Sequence, residues 1–107
     1  MPQPPLAKID VSKYKLAEFC RRWKINEFAL FGSVLSGDFR PDSDIDVLVT
    51  FAPDARWSLL SLVQMNTELE KIFGRKVDLV SRRGIETSRN YLRRKAILNS
   101  AQVIHAA

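Results

Sequence analysis

Acidic residues cluster just before an apolar segment of this 107-residue chain. Four of its twelve carboxylates, Asp38, Asp42, Asp44 and Asp46, fall within nine positions. Asp44 and Asp46 lead into the apolar run 47–51, which predicts a strand, and alternate strand residues point to the same face. The two carboxylates are therefore expected side by side, where they repel each other and lose hydration. A bound divalent cation would relieve both effects.

A third carboxylate, Asp78, stands inside the apolar sequence Lys76-Val77-Asp78-Leu79-Val80. Strand interiors rarely accept an isolated aspartate. If this strand pairs beside the one that carries Asp46, three carboxylates converge on one face of a sheet. Oxygen ligands without cysteine or histidine suit Mg²⁺ or Mn²⁺, which are commonly shared with substrate phosphates. The alternative is an ordinary set of solvated acids at a strand edge.

Gly32 and Ser33 directly follow the apolar run 27–31, a second predicted strand. Glycine lets the backbone approach a phosphate closely, and successive N–H groups of a turn or helix start form an anion site. In isolation Gly-Ser is a common turn, so its value lies in its distance from Asp44. Together, a phosphate cradle and an acid pair are the two halves of a nucleoside triphosphate site. These residues predict metal-assisted phosphoryl or nucleotidyl transfer.

Alternating helices and strands are predicted to position these residues. Asp10 or Ser12 can cap the first helix and Asn90 the last, while Gly74 suits a helix end. The predicted elements are a helix after residue 12, strands over 27–31, 45–51 and 76–81, a helix from about 54 to 73, and a helix from 91 to about 105. The middle helix is expected to direct these residues inward: Leu59, Leu62, Val63, Leu69 and Ile72. The order is α-β-loop-β-α-β-α, an α/β (α+β) domain on a small sheet.

Composition limits the class of protein. With 46% hydrophobic and 27% charged residues, we expect one folded domain over residues 10–107, preceded by a flexible arm over residues 1–9. No apolar run approaches the roughly 20 residues of a membrane helix, and the first residues do not resemble a secretory signal. The expected location is the cytoplasm. A single cysteine, Cys20, and a single histidine, His105, argue against a disulfide or a zinc site.

The positive charge is concentrated near the C-terminus. The net charge is +5, yet residues 1–81 hold eleven basic and eleven acidic residues, and residues 82–107 hold six basic residues against Glu86 alone. A basic segment of this kind suits a triphosphate or an acidic partner surface. Nucleic-acid binding by counterion release is the alternative, and we regard it as disfavoured because the first 81 residues are neutral and no nucleic-acid module is evident.

The spacing of these residues resembles a known signature. Gly32-Ser33, ten intervening residues, and Asp44-Ile45-Asp46 are similar to the GS-X10-D-X-D pattern of polymerase-β-like nucleotidyltransferases. Four further segments, 30–33, 41–49, 77–80 and the tail over 90–104, resemble its minimal branch, the MNT antitoxins. The resemblance implies the polymerase-β-like nucleotidyltransferase fold, with a small mixed sheet flanked by helices.

The resemblance also implies roles for particular residues. Asp44, Asp46 and Asp78 would hold two Mg²⁺ ions, with Mn²⁺ as a substitute, and Asp78 would lie near the attacking hydroxyl. Gly32 and Ser33 would bind the triphosphate of ATP. Two further residues, Ser43 and Arg40, are candidates for nucleotide binding. For Ser43 the alternative is a turn residue that bonds its own backbone.

For MNT antitoxins, the resemblance implies transfer of AMP from ATP to a tyrosine hydroxyl of a cognate HEPN toxin, a ribonuclease. We therefore expect a hetero-oligomer with that toxin. The alternatives are a non-catalytic antitoxin that neutralises its toxin by direct binding, and a nucleotidyltransferase with another acceptor. The chain departs from the pattern at Ser36-Gly37, where many members have Arg-Gly. Arg40 and Lys76 are the candidates to supply the missing positive charge.

Overall fold

A four-stranded mixed sheet with helices on both faces forms the described part of the chain. The computed structural model describes residues 12–32 and 43–106, and the predicted arm over residues 1–9 lies outside them. The strand order in the sheet is β3-β2-β1-β4. The elements are α1 (Lys13–Arg22), β1 (Ile25–Phe31), β2 (Ile45–Phe51), α2 (Leu59–Phe73), β3 (Val77–Ser81), α3 (Arg82–Glu86), α4 (Tyr91–Ser100) and β4 (Gln102–Ala106).

Helix ends follow the local signals in the sequence. The Ser12 hydroxyl accepts a hydrogen bond from the Lys15 amide at the start of α1, and the Asn90 side chain accepts one from the Arg93 amide at the start of α4. Gly74 ends α2 in the left-handed conformation, with φ of 73°. These caps confirm the predictions for Ser12, Asn90 and Gly74. The other candidate cap, Asp10, lies outside the described residues.

Strand pairing brings the acidic segments together. β1 pairs antiparallel with both β2 and β4, whereas β2 and β3 are parallel and are joined through α2. A parallel pair needs such a crossover, which a helix usually supplies. The predicted strand 45–51 is confirmed in full, and the strand predicted over 76–81 is observed as Val77–Ser81. The predicted pairing of Asp46 and Asp78 strands is therefore present.

The two faces of the sheet carry separate apolar clusters. Ile45, Val47 and Val49 of β2 point toward α1 and α2, where thirteen buried residues form the larger cluster. There the Phe28 ring lies 6.4 Å from Phe19 and 6.3 Å from Phe73, centre to centre. The alternate residues face α3 and α4, where five buried residues of the described ranges form the second cluster. Stability is therefore concentrated on the α1–α2 side.

The inward face of α2 differs from the prediction. Leu69 is fully buried and Leu62 and Ile72 are partly buried, as expected. Leu59 and Val63 were expected inside but are 78% and 54% exposed. The helix begins at Leu59, four or five residues later than predicted, and its buried stripe passes instead through Met65, Leu69 and Phe73. These lie four residues apart, the spacing of one helical face.

The C-terminal region also differs from the prediction. The helix predicted from Tyr91 to about His105 ends at Ser100, and β4 follows. Val103 and Ile104 are β-branched, which favours extended backbone, and β4 pairs with the edge of β1 that would otherwise have unpaired backbone groups. The basic loop after β3 contains the short helix α3. The predicted order therefore lacked α3 and β4.

No helix in the ranges 12–32 and 43–106 is both long enough and apolar enough to cross a membrane.

Candidate active site

The parallel pairing of β2 and β3 sets the geometry of the carboxylates. Asp46 of β2 is the register partner of Asp78 of β3, and neighbouring strands lie about 4.8 Å apart. Both residues belong to the sheet face that carries α3 and α4, because Ile45 and Val47 face the opposite side. Two acidic side chains thus emerge next to each other from adjacent strands.

The surroundings of Asp46 change its pKa. Partial burial raises the pKa of Asp46, and the neighbouring carboxylates of Asp78 and Asp44 raise it further. The positive charge of Arg93, on α4, opposes these effects and lowers that pKa. All three predicted acids therefore interact in one place, with Asp46 at the centre.

Asp44 and Asp78 are exposed, whereas Asp46 is half-buried. The backbone near Asp44 is fixed, since the amide of the next residue, Ile45, donates a hydrogen bond to the carbonyl of Lys76 at 2.9 Å. As the side chains stand, however, no three His, Cys, Asp or Glu residues of the described ranges are close enough to hold a metal ion together. Convergence on an ion would require rotation of side chains, which exposed aspartates can undergo.

The chemistry of the donors fits a hard divalent cation. The three acids offer only oxygen atoms, and Cys20 is buried in the apolar cluster on the other face of the sheet. Burial is the main cause of the raised pKa of Asp46, and the negative charges of Asp78 and Asp44 add to it. A divalent ion with oxygen ligands would supply the remaining compensation. We therefore take the residues to fit Mg²⁺ or Mn²⁺, with Asp46 central and the two exposed acids completing the set.

Gly32 lies at the end of β1, directly against Asp46. Its φ of 79° lies in the left-handed region, where residues with a β-carbon are strained. A β-carbon at Gly32 would also collide with Oδ2 of Asp46. Phe31, the preceding residue, is the register partner of Asp46 on β1. The structure thus gives a second reason for glycine at position 32 besides the predicted approach to phosphate, because a β-carbon there would force this carboxylate to move.

The structure does not test the remaining predicted residues. Ser33 and Arg40 lie outside the described residues, as do Ser36 and Gly37. Ser43 is half-buried, and its carbonyl accepts a hydrogen bond from Nη1 of Arg75 at 3.4 Å. The predicted roles of these residues in nucleotide binding stay predictions.

Arg93 is the charged neighbour that sequence reasoning did not single out. The sequence predicted that the basic C-terminal segment as a whole suits a triphosphate or an acidic partner surface, but no pattern within 82–107 distinguishes one arginine from another. Which arginine faces the sheet depends on the orientation of α4 about its own axis, and this orientation is set by tertiary contacts. Ile97, four residues after Arg93, packs in the smaller cluster and so turns that side of the helix toward the sheet.

A separate open cavity of about 340 Å³ lies at the opposite ends of β2 and β3, with Thr50, Trp57 and Arg82 in its lining. It does not include any of the predicted carboxylates. Arg82 there donates a hydrogen bond from Nε to Thr50 Oγ1 at 3.3 Å and faces Glu86 at 3.8 Å. The candidate active site is therefore the acidic surface itself, not this cavity.

The fold is that of a nucleotidyltransferase. The family model described as "Nucleotidyltransferase domain" matches residues 13–104, so the chain belongs to that family. This confirms the resemblance on which the fold and the class of enzyme were predicted.

Relatives with assigned names support the same class. Protein adenylyltransferase MntA of Thermococcus cleftensis is 34% identical over 70 residues, covering 65% of this chain and 69% of that protein. A provisionally named protein adenylyltransferase of Methanocaldococcus jannaschii is 32% identical over 93 residues, covering 87% of this chain and 94% of the relative. A second such relative from that archaeon is 38% identical over 64 residues, and the match spans 64% of its length, slightly less than two thirds.

Solved structures share the fold. A provisionally named minimal nucleotidyltransferase is 34% identical with a TM-score of 0.64, covering 84% of this chain and 85% of that one. A toxin–antitoxin complex with AMP-PNP gives a TM-score of 0.68 at 19% identity over 91% of this chain and 75% of the other. A complex of tri-AMPylated Shewanella oneidensis HEPN toxin with MNT antitoxin gives 0.59 at 19% identity, over 88% and 69%. At 19% identity, the last two demonstrate similarity of fold alone.

Proposed function

We propose that this chain is a Mg²⁺-dependent protein adenylyltransferase that acts as the antitoxin of a HEPN toxin. The reaction would move AMP from ATP to a tyrosine hydroxyl of that toxin. The observation that carries the proposal is the register pairing of Asp46 and Asp78, with Asp44 also close enough to raise the pKa of Asp46. This pairing occurs in a member of the nucleotidyltransferase family whose relatives are named protein adenylyltransferases.

In the proposed reaction the tyrosine oxygen attacks the α-phosphorus of ATP. A new phosphorus–oxygen bond forms, the bond from the α-phosphorus to the bridging oxygen breaks, and pyrophosphate leaves. The hydroxyl proton must be accepted as the oxygen attacks. We assign this role to Asp78, which is exposed on the edge strand β3 and can meet a hydroxyl that arrives from outside the chain.

The metal would be held by Asp44, Asp46 and Asp78. When bound there, Mg²⁺ would neutralise charge on the triphosphate and favour the ionised form of the attacking hydroxyl. Gly32 and Ser33 would bind phosphate oxygens through their backbone N–H groups, with Ser43 and Arg40 as additional nucleotide-binding candidates.

The acceptor is proposed to be a separate protein, so the working unit would be a hetero-oligomer. The acidic surface of Asp44 and Asp78 is open to solvent. Among solved structures, a fold of this kind occurs in complexes of an MNT antitoxin with a HEPN toxin that carries AMP groups. We infer the same class of partner here and place both proteins in the cytoplasm.

The proposal is tested by label transfer. The purified chain is incubated with Mg²⁺, ATP labelled at the α-phosphate, and the HEPN protein encoded beside it. We expect label on a tyrosine of the HEPN protein, and loss of that label in an Asp46→Asn/Asp78→Asn variant. ATP labelled at the γ-phosphate is the matched control, because that label should leave with pyrophosphate. A folded chain that transfers no α-label would overturn the proposal.

A second candidate function is neutralisation by binding without chemistry. It is favoured by the observation that no three metal-ligating side chains of the described ranges converge as they stand. An Asp44→Ala/Asp46→Ala variant separates the two functions. A pure binder would neutralise the toxin undiminished in this variant, whereas an adenylyltransferase would lose neutralisation along with label transfer.

A further inference from the structure

Helix α4 lies against the sheet face that carries the acidic residues. Its only buried residue, among those described, is Ile97, which packs in the cluster that contains Phe31 and Leu48. Leu48 lies two residues after Asp46 on β2, and Phe31 is the register partner of Asp46. The apolar contact of α4 is therefore made immediately beside the carboxylates.

Arg93 lies one helical turn before Ile97, on the same side of α4, because residues four apart share a helix face. Its positive charge acts on the Asp46 carboxylate from a distance, because these two side chains, both within the described ranges, form no ion pair. The packing of Ile97 therefore places Arg93 on the side of α4 that faces the acidic surface. It is also exposed, so a ligand bound at that surface can reach it.

The neighbouring basic residues have other surroundings. Arg94 donates hydrogen bonds from Nη1 to the carbonyls of Ser88 and Glu86, at 3.1 and 3.4 Å, and its guanidinium lies 5.3 Å from the centre of the Tyr91 ring. Lys95 is exposed and lies two residues after Arg93, which places it on the opposite side of the helix. Of these three adjacent cations, Arg93 is the one that faces the carboxylates.

We propose that Arg93 binds phosphate oxygens of the donor nucleotide, and that its positive charge partly offsets the charge of the carboxylates until that nucleotide arrives. The inference rests on the proposed function, since it names a further residue of the same site. A guanidinium presents two parallel N–H donors that match a phosphate, and such charge-assisted contacts are strong. When nucleotide and metal bind together, Arg93 would contact the phosphates and the carboxylates would bind the metal.

Nucleotide titration tests the first part. Affinities for ATP, AMP and adenosine are measured with Mg²⁺ for the wild type and for Arg93→Ala, Arg93→Lys and Lys95→Ala. Removing one charge-assisted contact should weaken ATP binding about tenfold in Arg93→Ala. Adenosine binding should stay within about twofold, because adenosine has no phosphate. Arg93→Lys should recover part of the loss, since lysine retains the charge but not the fork.

Lys95→Ala is the matched control, because it removes the same charge from the same helix. Equal weakening of ATP binding in Arg93→Ala and Lys95→Ala would overturn the proposal in favour of a general charge effect. Equal weakening of ATP and adenosine in Arg93→Ala would also overturn it, since a contact to phosphate cannot affect adenosine. Circular dichroism spectra of each variant establish that the fold is intact.

Titration with Mn²⁺ alone separates this proposal from the proposed function. Without nucleotide, Arg93 competes with a cation for the carboxylates, so Arg93→Ala should bind Mn²⁺ roughly three- to tenfold more tightly. Lys95→Ala should change Mn²⁺ binding less. Unchanged or weaker Mn²⁺ binding in Arg93→Ala would overturn the proposed effect of the Arg93 charge on the acidic surface. A wild-type chain that binds no MgATP would instead overturn the proposed function, and with it the phosphate contact.

Discussion

At the scale of single residues, Gly32 and the Asp46 side chain lie in close contact, so a larger residue at position 32 would overlap Asp46. We predict that Gly32→Ala displaces the Asp46 carboxylate, because the added β-carbon would collide with Oδ2 in a backbone of positive φ. The unfolding free energy should fall by about 1–3 kcal/mol from backbone strain and overlap together. Label transfer should fall much further than the loss of folded protein explains. Denaturant unfolding and the transfer assay measure the two effects.

Gly74→Ala is the matched control for this prediction. Gly74 has nearly the same φ, 73°, but no atom lies within 4 Å of the position of its missing β-carbon. Its substitution should therefore cost only backbone strain, about 1 kcal/mol, and leave transfer by the folded protein unchanged. If Gly32→Ala behaves like Gly74→Ala in both assays, the close approach to Asp46 has no functional consequence.

We predict that replacing the Asp46 carboxylate by an amide stabilises the folded protein and reduces its activity. Burial and two neighbouring carboxylates raise the pKa of Asp46 in the folded protein. The folded state therefore binds this proton more tightly than the unfolded state, and Asp46 lowers stability as the pH rises through its raised pKa. Without metal, Asp46→Asn should raise the unfolding free energy by about 0.5–1 kcal/mol at neutral pH. Label transfer should fall on the order of 10²-fold or more.

Measuring unfolding across pH distinguishes this effect from better packing. The gain from Asp46→Asn should be small below the ordinary aspartate pKa of 3.8 and should increase toward neutral pH. Adding Mg²⁺ should then stabilise the wild type and not the variant, since ligands stabilise the state that binds them. A gain that is the same in acid and at neutral pH would show that the charge of Asp46 is not its cause.

The three acids could be found from the sequence because aspartate is rare at the start and in the middle of apolar strands. Asp44 and Asp46 flank buried Ile45, so one strand assignment predicted a common face for them, although the observed strand begins at Ile45 and leaves Asp44 just before it. Arg93 could not be found in the same way. Six basic residues follow residue 81, and only the contact of Ile97 with the sheet shows which of them turns toward Asp46.

At the scale of elements, the C-terminal strand is what the sequence left unresolved. Strands β1, β2 and β3 were predicted because each is a short apolar run with a turn signal nearby. The β4 segment is polar at Gln102 and His105 and continues directly from a helical pattern, so local periodicity could not separate it from α4. Its conformation depends on the free edge of β1, a contact between residues about 75 positions apart.

Adjacent residues of β4 provide a test of this assignment. Ile104 packs against the larger apolar cluster, whereas Val103 is 46% exposed on the other side of the strand. We predict that Ile104→Ala lowers the unfolding free energy by about 1–2 kcal/mol, less than for a fully buried isoleucine. Val103→Ala should lower it by no more than about 0.5 kcal/mol. Chemical denaturation of both variants measures the difference, and equal losses would argue against the alternation of a strand.

At the scale of the whole molecule, the two faces of the sheet differ: one carries most of the buried apolar residues, and the other carries the candidate active site. Thirteen buried residues pack on the α1–α2 side and five on the side of α3, α4 and the carboxylates. A thinly packed face opens at lower free energy than a thick one, which suits a surface that must admit a nucleotide and a protein acceptor. Arg93 lies on that same side, so its positive charge faces the proposed nucleotide site.

Hydrogen exchange tests this division of the molecule. Backbone amides of α3 and α4 should exchange faster than those of α2, β1 and β2, because fewer apolar contacts must be broken to expose them. MgATP should slow exchange in α4, through Arg93, and near Asp78 at the start of β3, with little change in α1. Mass spectrometry of peptides from the intact chain, with and without MgATP, measures both effects. Protection confined to α1 and α2 would mean that the nucleotide binds the opposite face, which carries none of the carboxylates.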